Sequence, residues 1–249
     1  MVAVLAEDRI YMFVKFQNNK DHLLSLQKGQ LYMNNGRYFA ELEKKSGTKG
    51  IGDKYELSQV MNKVSLSFHH SETSELLFEA EADVLSISMN AYMTKPLFCI
   101  TQIDSQSLKI VKEYEESVDC QFDFGENDIE QLVKDFGEYA LIISPGPFKE
   151  RLNKALIDQG LLAHQGKISY VDYKVNSVER LESYHEFDPN HFFIKDLSFS
   201  HQREYRIVLA SVDSEEPFVL DIDDLTDISI LIETRDLFSG NFSLKIAKD

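Results

Sequence analysis

Short β-branched and aromatic segments recur along the whole chain, and no regular series of helices separates them. Residues 9–16 (RIYMFVKF), 31–33, 60–68, 75–89, 97–103, 138–144, 167–173, 204–209, 218–222 and 228–233 all read as strands. Val60, Val64, Leu66 and Phe68 fall on alternate positions, the pattern of a half-buried strand. Residues 75–89 read as its hairpin partner, broken near Glu81-Ala82-Asp83. A parallel sheet needs a crossover, usually a helix, between successive strands. Strands that outnumber helices without that rhythm predict an α+β fold, with mixed, mostly antiparallel sheets and several short helices.

The helical signals are few. Asp21 is placed to cap a short helix carrying Leu23, Leu24 and Leu26, with Gly29 after its end. Residues 37–45 put Tyr38, Phe39 and Leu42 on one side. Asn127 or Asp128 caps a helix bearing Ile129, Leu132, Val133 and Phe136, ended by Gly137. The clearest helix starts at Pro147, its inner stripe being Phe148, Leu152, Ala155 and Leu156. Residues 179–190 look polar and irregular. No repeat, low-complexity run or linker interrupts the chain, so residues 1–249 are read as a single α+β domain.

The net charge of -16 argues against non-specific nucleic-acid or anionic-membrane binding, since both need a cationic surface. No stretch approaches the roughly 18 apolar residues of a membrane span, and residues 1–9 lack the basic leader of a signal peptide. Cys99 and Cys120 form no CxxC pair, and the histidines have no zinc spacing. Two reduced thiols in a cytoplasmic protein are the expectation. His69 and His70 are adjacent on a strand end and point apart, as in a surface turn. Residues 46–55 hold three glycines and read as a flexible loop ending in the acids Asp53 and Glu56.

The most distinctive stretch runs from Phe192 to Leu209. Its polar centre, His201 to Glu204, opens into the strand pattern Tyr205 to Leu209. Alternation sets Glu204 and Arg206 on one face, a carboxylate and a guanidinium at the mouth of a core strand. Charges there must pair or meet solvent, because an unpaired buried charge costs several kcal/mol, roughly. A solvent-reachable pocket beside Glu204 is the expectation.

The order of several short motifs resembles a widespread bacterial and phage family, a domain of unknown function. These motifs are Lys15-Phe16, His22-Leu23, Gly29-Gln30-Leu31-Tyr32, Asp53-Lys54-Tyr55-Glu56, Leu97-Phe98-Cys99, Phe136-Gly137-Glu138-Tyr139, Ile168-Ser169-Tyr170 and Gln202-Arg203-Glu204-Tyr205-Arg206. The chain departs from it in having no tryptophan. More remotely, Gln202-Arg203-Glu204 is similar to the Gln/Glu-x-Glu element of ADP-ribosyltransferases, which also open with a strand, a helix and a glycine. That resemblance implies Glu204 as the catalytic carboxylate with Gln202 beside it, acting on NAD. It further implies Lys15 where an NAD-holding arginine or histidine would lie, and Tyr38 as a ring near the nicotinamide. Arg206, on the face of Glu204, completes the candidate cofactor-binding set. A lysine does not reproduce the bidentate contacts of an arginine.

Three functions follow as expectations. The first is an ADP-ribosyltransferase-like, NAD-consuming effector of a phage-defence or mobile-element system. The second is a non-enzymatic protein-binding or inhibitor protein, in which Glu204 and Arg206 form a structural pair and the acidic surface meets a protein partner. The third is a metal-dependent nuclease using Asp53, Glu56 and Glu204. The first requires Lys15, Tyr38 and Glu204 around one cleft.

Overall fold

The computed structural model describes residues 5–6, 9–47, 50–240 and 242–248. The chain begins with β1 (Met12–Gln17), α1 (Lys20–Gln27), β2 (Gln30–Asn35) and α2 (Gly36–Ser46). Two long strands follow, β3 (Gln59–His69) and β4 (Leu76–Ile87), then a single turn α3 (Asn90–Met93) and β5 (Pro96–Ile103). The middle of the chain supplies β6 (Leu108–Glu113), β7 (Ser117–Phe122), α4 (Glu126–Phe136), β8 (Tyr139–Ile143) and α5 (Pro145–Asp158). After it come β9 (Ala163–Lys167), β10 (Ser169–Val171), α6 (Val178–His185), β11 (Ile194–Asp196) and β12 (Glu204–Leu209). The remainder is β13 (Phe218–Asp221), β14 (Ser229–Glu233), α7 (Thr234–Phe238) and β15 (Leu244–Ala247).

This is the expected α+β architecture. The principal sheet has eight strands, in the order β13-β2-β5-β1-β8-β14, with β12 and then β9 attached to β5. All its pairings are antiparallel. The parallel contact is between β10 and β11, and β15-β7-β6 forms a small antiparallel sheet. Strand alternation gives the principal sheet two apolar faces. Phe13, Phe98, Ile100, Tyr205 and Ile207 pack with Leu23 and Leu26 of α1 and with Phe148, Leu152 and Leu156 of α5. On the opposite face Met12, Val14, Phe16 and Ile103 meet Leu132 of α4, Leu237 of α7 and the small sheet's Val118, Cys120 and Ile246.

Local departures from expectation have physical causes. The cap of α1 is Asn19, whose side chain accepts from the Asp21 amide; Asp21 instead sits in the first turn. Helix α4 starts earlier, with Gly125 at its N-cap and with Glu126 and Asp128 in its first turn, where carboxylates favour the helix dipole. Residues 179–190 are not irregular: α6 is capped by Ser177 and buries Arg180 and Tyr184. An inner face made of an arginine and a tyrosine leaves no aliphatic stripe to read. The break expected at residues 81–83 does not occur either. Val64 and Leu66 lie opposite Ala82 and Ala80, and the pairing continues through them. The segment 167–173 does divide, at Ile168, because β9 pairs with β12 while β10 pairs with β11.

Of the glycine-rich segment, Thr48 and Lys49 lie outside the described residues. The part that is described is tightly packed. A Cβ on Gly52 would overlap the Glu43 backbone nitrogen, and one on Gly50, at φ +153°, would come within 2.6 Å of the Asp135 carboxylate. Asp53 donates its amide to Phe39 O, and Lys54 donates its amide to the Glu43 carboxylate. These glycines allow close approach of loop and helix rather than freedom.

Candidate functional site

The site grows from the three-way pairing of β5. Along one edge, Leu97 to Thr101 pair with β12. Along the other, Leu97 and Pro96 pair with β2, and Thr101 to Ile103 pair with β1. Between β2 and β1, residues Phe98, Cys99 and Ile100 therefore face no strand on that edge. Helix α1 joins β1 to β2 across the wedge, and the gap opens into a cavity of about 630 Å³. Lys15, His22, Tyr38, Phe98, Gln202 and Glu204 are among the residues around it.

The floor of this cavity is a buried charge network. Lys195, at the centre of β11, donates from Nζ to Gln202 Oε1 at 2.8 Å and to Glu204 Oε2 at 2.9 Å. Arg206 donates from Nε to Glu204 Oε1 at 2.8 Å and from Nη1 to the Phe192 carbonyl at 2.8 Å. The same Nη1 lies 2.8 Å from Glu56 Oε1, an ion pair whose angle does not suit a hydrogen bond. Two cations and two carboxylates thus balance. Gln202 is fixed at its other end, where Nε2 donates to the Gly50 carbonyl at 3.0 Å. Arg203 between them adopts a left-handed conformation, φ 44°, which lets Gln202 and Glu204 both turn to Lys195. The Glu204 amide donates to the Tyr170 hydroxyl at 2.8 Å.

Burial alone would raise the Glu204 carboxyl, but Arg206 and Lys195 outweigh it and hold the group well below the usual carboxylate range. Lys195 shows the mirror image: burial would lower it, and Glu204 with Glu56 push it up. Asp53, on the loop beside them, is a fifth buried ionisable group that the balanced network does not need. Burial and the Glu56 charge push it up to about 7, against the pull of Lys195. Its Oδ2 is buried without a hydrogen-bond partner, while Oδ1 accepts from the Tyr55 amide. Cys99 is likewise pushed up to about 12, first by burial and then by Glu204, so its thiol is not a nucleophile at neutral pH.

Lys15 is different. Its Nζ donates to the Cys99 carbonyl at 2.6 Å, on the unpaired edge of β5, and lies 4.9 Å from the Phe98 ring. Among the described residues no carboxylate pairs with it, and burial lowers its pKa despite the nearby Glu204 charge. Its amine stands at the wall of a cavity with room for an anionic partner, whose charge would favour the protonated form.

Of the residues singled out from sequence, Lys15, Tyr38, Gln202 and Glu204 come together around this one cavity. Tyr38 stands at the rim, 46% exposed. Arg206 does not line the cavity; it is fully buried behind Glu204. Glu204 itself reaches the cavity by an edge, its side chain 5% exposed. Sequence reasoning missed Lys195. The available signal was the requirement that Glu204 be paired, together with a lone lysine inside the apolar run Phe192 to Phe199. Among the described residues, no three His, Cys, Asp or Glu side chains are grouped to hold a metal ion, and no helix is long and apolar enough to cross a membrane.

Comparison with protein-family models, with curated proteins and with solved structures gives no significant match.

Proposed function

We propose that the protein is an ADP-ribosyltransferase-like effector that binds NAD in the cavity between β1 and β2 and cleaves its nicotinamide–ribose bond. The observation that carries this reading is the convergence of Lys15, Tyr38 and the pair Gln202 and Glu204 on one cavity, from three separate parts of the chain. Its volume is in the range of pockets that hold small organic ligands, roughly 300–1,000 Å³. In the proposed reaction the bond from C1′ of the ribose to the nicotinamide nitrogen breaks. The electron pair leaves with neutral nicotinamide, and water or an acceptor group adds at C1′ and releases a proton. Positive charge builds on the sugar in between, and an ionised carboxylate fixed beside it stabilises that charge without reorganising. A phosphate of NAD would draw Lys15 into its ammonium form and accept from it, and Tyr38 offers a ring at the mouth.

A second reading, a non-enzymatic binding protein, draws on one observation. Each oxygen of Glu204 is already taken by a cation, Lys195 or Arg206, so part of its field is neutralised. Nicotinamide release separates the two readings. Wild-type protein should release nicotinamide from NAD, with and without cell extract as a source of acceptor. Lys15→Met and Tyr38→Ala, neither of which breaks a hydrogen bond of the buried network, should reduce the rate without lowering the melting temperature. No release from the wild type under either condition would leave the binding reading in place.

A further inference from the structure

Strands β3 and β4 form a two-stranded sheet that, among the described residues, pairs with no other strand. Only its base is buried. Gln59 and Val60 are covered, Val64, Leu66, Ala80 and Ala82 are half-buried, and Phe68, Phe78 and Val84 are 42%, 55% and 46% exposed. Cross-strand register assigns its two faces. Val64, Leu66 and Phe68 lie directly opposite Ala82, Ala80 and Phe78, so one face of the arm is an unbroken apolar strip. At its outer end the rings of Phe68 and Phe78 stack at 4.2 Å and 15°. The other face carries Ser65 and Ser67 opposite Glu81 and Glu79.

Isolated two-stranded hairpins are marginal in water, and an exposed apolar strip on a projecting arm is unfavourable unless something covers it. The charge pattern indicates what. Between residues 59 and 89 there are five carboxylates, Glu72, Glu75, Glu79, Glu81 and Asp83, against a single Lys63. Among the described residues none of these carboxylates is in an ion pair. The arm is one ladder wide, about 5 Å between strands. Charges on its back and tip therefore act on anything seated on its front, within a Debye length of about 8–10 Å. A second copy, itself at -16, would bring like charges together.

We propose that the β3–β4 arm is the docking site for a basic amphipathic segment of a partner protein. The segment's apolar side covers the strip from Val64 to Phe68 and from Phe78 to Ala82. Its lysines and arginines reach round the narrow arm to the carboxylates, as long cationic side chains do when their stems lie on apolar surface.

The probe is a synthetic amphipathic peptide with leucine on one side and lysine on the other, titrated by calorimetry into the full chain at low and high salt. One-to-one binding that weakens with salt is expected. Phe68→Ser with Phe78→Ser should weaken it about tenfold or more. So should Glu79→Lys, Glu81→Lys and Asp83→Lys combined, which keeps the apolar strip and decides the matter if the serine variant does not fold. The proposal is overturned if the folded variants bind like the wild type, if the peptide does not bind at low salt, or if a leucine/glutamate peptide binds equally well. It is also overturned if the wild type is a dimer that the serine variant dissociates.

Discussion

Glu204→Gln preserves the size of the side chain and removes one charge from a network that sums to zero. Lys195 and Arg206 would then face Glu56 alone, leaving one buried positive charge in excess. Removing one partner of a buried pair costs roughly 3–5 kcal/mol, a large share of a total stability of about 5–15 kcal/mol. The structure adds a pH dependence to that figure. Asp53 lies within reach of Lys195 and is held up to about 7 by burial and by Glu56. In the variant the uncompensated Lys195 should draw Asp53 into its ionised form, restoring the balance. Above pH 7 Asp53 is ionised in both proteins, as an excess charge in the wild type and as a balancing one in the variant. The cost should therefore be larger near pH 5.5 than near pH 8, and stay undiminished in Asp53→Asn/Glu204→Gln, about 3–5 kcal/mol at each pH. Urea unfolding at both pH values measures it. A loss below about 1 kcal/mol at the lower pH, or one that grows as pH rises, refutes the balanced-network account.

Leu156→Ala should cost roughly 2–5 kcal/mol in a denaturant melt, because Leu156 is packed with Phe148 and Leu152 under the sheet. Gly52→Ala should destabilise by about 1–3 kcal/mol, since the new methyl group meets the Glu43 backbone and neither segment yields easily. His191 is pushed down to about 4 by burial among the rings of Tyr92, Tyr184 and Phe192. The unfolded chain takes up its proton first, so stability should fall as pH drops from about 6.5 to 4. His191→Phe should flatten that part of the urea-unfolding profile. Asp53 has the opposite sign: its folded pKa is raised, so its contribution is present below about pH 4 and is lost as pH rises to 7. Asp53→Asn should therefore be more stable than the wild type at pH 8 in the same assay.

The strands were legible in the sequence wherever one face met a core. Residues 138–144 and 204–209 read as strands because β8 and β12 are buried along nearly their whole length. The helix with Phe148, Leu152, Ala155 and Leu156 was legible for the same reason, its four stripe residues all being buried. Helix α6 was not, since its buried face is polar. The exposed arm was half-legible: alternation gave its strands, but an apolar face implied burial that the fold does not provide. In the site, Gln202 and Glu204 stood out as polar residues at the start of an apolar strand, and Lys15 as a lysine within one. Arg206 was legible both as a structural partner of Glu204, the pair that forms, and as a cofactor-binding residue, because strand alternation shows which residues share a face but not which of them another element covers. Here short 3-10 turns at Pro189–Phe193 and Leu197–Gln202 flank β11, and the Phe192 carbonyl closes over the guanidinium.

The three-way pairing of β5 also sets the order in which the molecule can be assembled. Its β1 and β2 partners precede it in the chain, but β12 begins more than a hundred residues after Thr101, the residue it pairs with through Glu204. At ribosomal rates of about 5–20 residues per second, that edge waits on the order of ten seconds for its neighbour. A nascent chain in this interval presents an unpaired strand bearing Leu97 and Phe98, the kind of template on which misassembly starts. The same delay keeps the site incomplete until late, because Gln202, Glu204 and Lys195 emerge together near the end. A chain arrested before residue 194 has the walls of the cavity without its charged floor.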